Sequence, residues 1–175
     1  MKHKTKKIII WSLSLLVGLP VIVFVGFLLF FSYMIGVFKE HPTDEELISQ
    51  LMENTPRYEQ LIKMFRSDHP LTVVAPTWQS PDGQLSNNRW NEYKVIFEEL
   101  ELDMGLRKWD AESIWFLNSI RGMVTGGDSK GLMYKPENPT PLYPSLNERP
   151  NDLESGVRAY KKIDENWYIT YDWND

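Results

Sequence analysis

Val157-Arg158-Ala159-Tyr160-Lys161-Lys162-Ile163 and Trp167-Tyr168-Ile169-Thr170-Tyr171-Asp172-Trp173 read as the two arms of a β-hairpin. In the second arm the odd positions (Trp167, Ile169, Tyr171, Trp173) are apolar, the period-2 signature of a strand with one buried face. Val157, Ala159 and Ile163 supply the matching face of the first arm. A loop over Asp164–Asn166 pairs Ile163 with Trp167, Ala159 with Tyr171 and Val157 with Trp173, so both apolar faces lie on one side. A loop shorter by one residue would set Ile163 against Tyr168 and mismatch them. The same register puts Arg158 opposite Asp172 on the outer face, a favourable cross-strand charge pair.

Working back from the hairpin, Pro136, Pro139, Pro141, Pro144 and Pro150 define an extended loop, since proline neither donates to a ladder nor continues a helix. Gly131–Tyr134 reads as a strand, Gly126–Ser129 as a glycine-rich turn, and Ser113–Leu117 as a central strand, apolar on both faces. Before Gly105 the periodicity is helical. Ser86 caps a helix with Trp90, Tyr93, Ile96, Phe97 and Leu100 on one side. Leu71–Ala75 is a short strand, and Pro76–Gly83 a turn-rich connection. Thr43 and Glu46 form a capping box for a helix carrying Leu47, Ile48, Leu51 and Met52. Thr55, with Pro56 at the first helical position, is expected to cap the next helix, which carries Tyr58, Leu61, Ile62 and Phe65. Helices first and strands later predict an α+β domain, with helices packed on an antiparallel sheet that ends in the hairpin.

The N-terminus is of another kind. From Ile8 to Phe38 run 31 residues without an Asp, Glu, Lys, Arg or His, preceded by Lys2, Lys4, Lys6 and Lys7. A span needs about 20 apolar residues. A cleaved signal peptide has an apolar stretch of only about 7–15 residues and a small-residue cleavage site, and this run fits neither criterion. The expected organisation is a basic tail over 1–7, an uncleaved transmembrane anchor over 8–38 that partners the lipid bilayer, and a domain over 39–175. The lysines place the N-terminus in the cytoplasm. The domain then lies in the periplasm or outside the cell, on a protein of the inner (cytoplasmic) membrane.

Charge divides along the same line. Residues 1–38 carry +4, and the 15 basic and 24 acidic groups of residues 39–175 give −9. A surface of that sign disfavours nucleic acid. The chain contains 0 cysteines, which excludes disulfides, thiolate metal centres and thiol nucleophiles. His41 and His69 are far apart, with no ligand at helical spacing, so no metal or other cofactor is expected. Gly127-Asp128-Ser129-Lys130-Gly131 matches the G-x-S-x-G elbow of α/β-hydrolases, but all three histidines precede the serine and a strand follows it. Glu98, Glu99, Glu101 and Asp103 form an acidic helix end, read as solvated. No catalytic set emerges.

Lys130-Gly131, Tyr134, Ser145-Leu146, Asn166-Trp167-Tyr168 and Tyr171 together resemble a C-terminal pattern (K-G-x-x-Y, S-L, N-W-Y-x-x-Y) of bacterial exported and membrane-anchored proteins, often lipoproteins. That resemblance covers about a quarter of the chain. It implies a compact envelope domain and brings no activity or site residues with it. This chain departs from the lipoprotein members by lacking a cysteine. The expected function is binding of an envelope protein or cell-wall component. The candidate contact face is Arg158, Tyr160, Lys162 and Tyr168 on the outer side of the hairpin. The alternatives are an envelope hydrolase using paired carboxylates and a membrane-held immunity or inhibitor protein.

Overall fold

The computed structural model describes residues 18, 20–31, 40–123 and 126–174, and divides into two units, Met1–Lys39 and Glu40–Asp175. In the first unit residues 20–31 are helical (α1), and every large apolar side chain from Val21 to Phe31 is 46–70 % exposed. Among the described residues no helix is long and apolar enough to cross a membrane. Most of the expected basic tail and anchor (1–17, 19 and 32–38) lies outside the described residues.

The second unit runs α2 (Asp44–Glu53), α3 (Thr55–Ser67), β1 (Val73–Val74), β2 (Gln79–Ser80), α4 (Asn87–Glu99), β3 (Leu106–Lys108), β4 (Ile114–Met123), β5 (Gly126–Tyr134), β6 (Arg158–Lys162) and β7 (Trp167–Asn174). The strands form one antiparallel sheet in the order β2-β1-β3-β4-β5-β7-β6, and the helices pack on one face of it. This is the α+β class read from the sequence.

Thr43 starts α2 through both halves of the capping box. Its hydroxyl accepts from the Glu46 amide at 3.2 Å, and its own amide donates to Glu46 Oε2 at 2.7 Å. The next cap differs from expectation. Asn54, not Thr55, is the N-cap of α3, because Thr55 is already helical and its hydroxyl donates back to the Leu51 carbonyl at 2.8 Å. Pro56 does sit in the first turn. Ser86 caps α4 by accepting from the Arg89 amide, and Tyr93, Ile96, Phe97 and Leu100 enter the core. At the centre of the core, Tyr58 meets Phe116 and Trp167 edge-on at 5.2 and 5.5 Å. Such pairs add roughly 0.5–1.5 kcal/mol each beyond area burial.

The hairpin register is the one read from the sequence: Arg158 pairs with Asp172, Ala159 with Tyr171, and the Ile163 amide donates to the Trp167 carbonyl at 2.9 Å. Two sheet expectations need correction. Gly126–Ser129 is not a turn but the first part of β5, paired with β4 from Met123↔Gly126 to Ile120↔Ser129 and with β7 from Gly127 onward. Glycine is required there for close approach, since a Cβ on Gly127 would stand 2.3 Å from the Arg121 carbonyl oxygen. The Pro76–Gly83 connection contains β2, which extends the sheet edge through Val73↔Ser80 and Val74↔Gln79.

The register of β4 against β5 shifts between Leu117 and Ser119, leaving Asn118 as a bulge. A bulge adds a residue and turns every later side chain to the other face. Trp115 and Leu117 therefore point away from the helices, whereas Ser119 and Arg121 point to the helix side, opposite Lys130 and Asp128. Asn118 itself donates to Gln50 Oε1 at 3.1 Å, and Gln50 Nε2 donates to the Leu100 carbonyl, so the bulge is bonded to α2.

Candidate functional site

The helix-free face of the sheet collects the four residues proposed from the sequence. Strand pairing sets Arg107, Trp115, Met133, Tyr168 and Lys162 in one row across β3-β4-β5-β7-β6. Leu117, Gly131, Thr170 and Tyr160 form the next row, and Ile120, Ser129, Asp172 and Arg158 the third. Gly131 and Thr170 keep the middle of this face low.

Arg158 lies across it. Its Nε and Nη2 donate to the two Asp172 carboxylate oxygens at 2.7 and 2.8 Å, and its Cζ stands 3.6 Å from the Trp109 ring centre and 4.0 Å from that of Trp115. A planar guanidinium can stack on aromatic faces and grip a carboxylate at its edge at the same time, which an ammonium cannot. The expectation of an open strand face therefore fails for three of the four residues. Arg158, Tyr160 and Tyr168 are 8 %, 6 % and 9 % exposed, tiled with Trp115, Leu117 and Met133 into a second apolar layer. Lys162 stays in solvent. Sequence reasoning missed Trp109, which is 51 % exposed and forms the outer surface over the guanidinium, as well as Ile120 at 45 % and Arg107. Burial, and then the neighbouring Arg158 charge, pushes the Arg107 guanidinium below its ordinary value. The Trp115 indole N–H, buried in this layer, has no acceptor among the described residues.

The opposite face has a polar end where the chain enters the domain. Asp44, fully buried in the first turn of α2, lies 2.8 Å from Lys130 Nζ and 2.9 Å from Lys161 Nζ. It also accepts from the Leu146 amide at 2.8 Å and the Ser145 hydroxyl at 3.1 Å, which ties the proline-rich loop to α2. Burial alone would raise the Asp44 carboxyl. Lys130, the Leu146 amide and Lys161 outweigh it and hold the group below the usual carboxylate range. Lys130 is pushed down by burial, against the pull of Asp44.

Next to it, His41 Nδ1 is 2.6 Å from Ser119 Oγ and Nε2 is 3.0 Å from Asp128 Oδ1. Asp128 also takes Arg121 Nε at 2.9 Å, a second Arg121 nitrogen and the Tyr171 hydroxyl. Burial would raise Asp128, but Arg121, Tyr171 and His41 bring it down to about 2. Ser, His and Asp in line suggest a nucleophile. The physical setting gives them a different role here. Ser119 is 6 % exposed and the His41 side chain 5 %, so no substrate carbonyl reaches Oγ while residues 40–43 are seated. The group works as a clamp that holds the entering chain on the sheet. Ser129 of the G-x-S-x-G match lies in mid-strand with its hydroxyl toward Asp172, which removes the elbow reading.

Burial lowers the His41 imidazole below its ordinary value of 6.5, more than Asp128 raises it. As pH falls through 6.5, the unfolded chain takes up this proton before the folded one, so stability declines. The Asp44 and Asp128 contributions are present above their ordinary value of 3.8 and are lost at lower pH still. Denaturant titrations of the wild type at about pH 7.5 and about pH 5.5 are expected to show a drop, and His41→Gln should flatten it. An equal drop in the variant would assign the pH dependence to other groups.

At the acidic helix end Glu99 pairs with Arg57 at 2.7 Å, with both side chains a little under half exposed. No family model, characterised protein or solved structure matches this chain.

Proposed function

We propose that the chain is a single-pass protein of the cytoplasmic membrane, anchored through residues 8–38, that presents Glu40–Asp175 outside the cytoplasm to bind an anionic envelope component through the helix-free face. The observation that carries the binding reading is the Arg158–Trp109–Trp115 stack. It holds a desolvated cation beneath a half-exposed indole. On the strands of this face Arg107, Arg158 and Lys162 stand against Asp172 alone, in a domain whose total charge is strongly negative. A locally inverted sign of this kind favours an acidic partner and sets its orientation. Aromatic and arginine side chains are also the residue types that dominate binding energy at interfaces. The anchor reading is supported by the length of the apolar run, its lysine flank and the all-round exposure of apolar side chains on α1, a surface that lipid covers at no cost.

Topology and binding are tested separately. A thiol probe for topology belongs at Gln84, which is exposed and outside any strand. With no native cysteine, Gln84→Cys should react with a membrane-impermeant maleimide in intact cells or spheroplasts. Labelling only after lysis would reverse the orientation. For binding, a photo-crosslinking residue at position 109 should capture an acidic partner that the same probe at position 84 does not. Arg107→Glu should remove that capture. Equal capture at both positions would end the assignment to this face.

A further inference from the structure

A cleft of about 290 Å³ opens at the other end of the helix layer, between the C-terminus of α3, the turn after it, the end of β3 and the start of β4. Its floor is apolar: Phe65, Leu71 and Ile114 are each at most 5 % exposed. Its rim is not. Arg66, His69 and Lys108 line it, with Glu112 as the one acid. The Ser113 hydroxyl also lines the cleft, but it is already committed to Asp110 and the Lys135 carbonyl. Arg66 Nη2 holds Glu112 Oε2 at 3.2 Å across the mouth, with the two side chains 44 % and 74 % exposed. Lys108 makes no ion pair among the described residues.

We propose that this cleft binds a small molecule made of one apolar ring and one oxyanion, of the aromatic carboxylate class, with Glu112 as a built-in competitor. The volume sits at the lower limit for ligand sites, roughly 300 Å³, and suits a single ring rather than a cofactor. The ring rests on Phe65, Leu71 and Ile114. The carboxylate takes the place of the Glu112 carboxylate on the Arg66 fork, where a planar two-oxygen group is matched by geometry. Lys108 supplies a second charge from β3. The exposed Arg66–Glu112 pair contributes little to folding, so exchanging one carboxylate for another leaves the fold intact. This site is separate from the sheet face and does not depend on it.

The test is fluorine NMR of para-trifluoromethylbenzoate titrated with the full-length chain in nanodiscs, with protein-free nanodiscs as the blank. The uncharged para-trifluoromethylbenzamide is the matched control. The acid should bind at least about tenfold more tightly than the amide, and Arg66→Gln should remove that preference. Glu112→Gln should tighten the acid by about threefold, because it deletes the competitor while leaving the floor untouched. That opposite sign distinguishes a ligand site from a surface in which any change is harmful. All these side chains are exposed, so the variants should fold, and unchanged melting temperatures check this. Equal binding of acid and amide, no acid binding above the blank, or weaker binding in Glu112→Gln would overturn the proposal.

Discussion

Asp44→Ala is expected to be the most damaging single substitution of a charged residue in the domain. Among the described residues it removes the only counter-charge within ion-pair distance of Lys130, whose side chain is 1 % exposed, and of Lys161 at 18 %. It also leaves the Leu146 amide and the Ser145 hydroxyl without their acceptor, and releases the proline-rich loop from α2. Breaking a buried pair by deleting one partner costs roughly 3–5 kcal/mol, a large share of a typical stability of about 5–15 kcal/mol. Asp44→Asn keeps an acceptor for the amide and should lose less. Adding Lys130→Met to Asp44→Ala should recover part of the loss, since an apolar replacement removes the stranded charge. Urea titrations of the single and double variants measure all three. A wild-type-like midpoint for Asp44→Ala would show that the lysines escape to solvent and that the network is dispensable. The recovery in the double variant distinguishes an electrostatic cost from simple loss of the loop contact.

Gly105→Ala is expected to unseat the β1–β2 edge of the sheet. Gly105 has φ +71°, in the left-handed region. An added Cβ would stand 2.1 Å from the Val74 carbonyl oxygen and 2.7 Å from Ala75 Cα, both backbone atoms that no rotamer change can move. The conformation alone costs an alanine about 1–2 kcal/mol. The overlap adds to this by forcing β1 away from β3, where Val73 pairs with Arg107 and Val74 with Leu106. The expected signature is local: amide exchange should accelerate at Val74, Ala75 and Lys108 while the β4-β5-β7-β6 ladder keeps its protection. Uniform acceleration across the sheet would mean that the edge and the centre unfold as one unit. Gly83→Ala is the matched control, because Gly83 has the same φ of +71° with nothing within 4 Å of the added atom.

The features legible in the sequence rest on nearby residues. The hairpin register followed from period-2 alternation and loop length, and the Thr43 and Ser86 caps from side chains that reach an amide three positions on. The long uncharged run and its lysine flank are equally legible, because they are properties of composition. The features that escape such a reading depend on partners far apart in the chain. Lys161 falls on the apolar face of the hairpin and reads there as an exception to the pattern. Its reason is Asp44, 117 positions away. Asn118 gives no local sign of being a bulge, yet that one extra residue turns Ser119 and Arg121 toward His41 and Asp128 and so creates the clamp. Arg158 alternates like a solvent-facing residue and pairs with Asp172 as its position implies. It is buried because Trp109, from the loop after β3, and Trp115 close over it. Alternation along a strand reports which face a side chain takes, whereas burial depends on what the rest of the chain lays against that face.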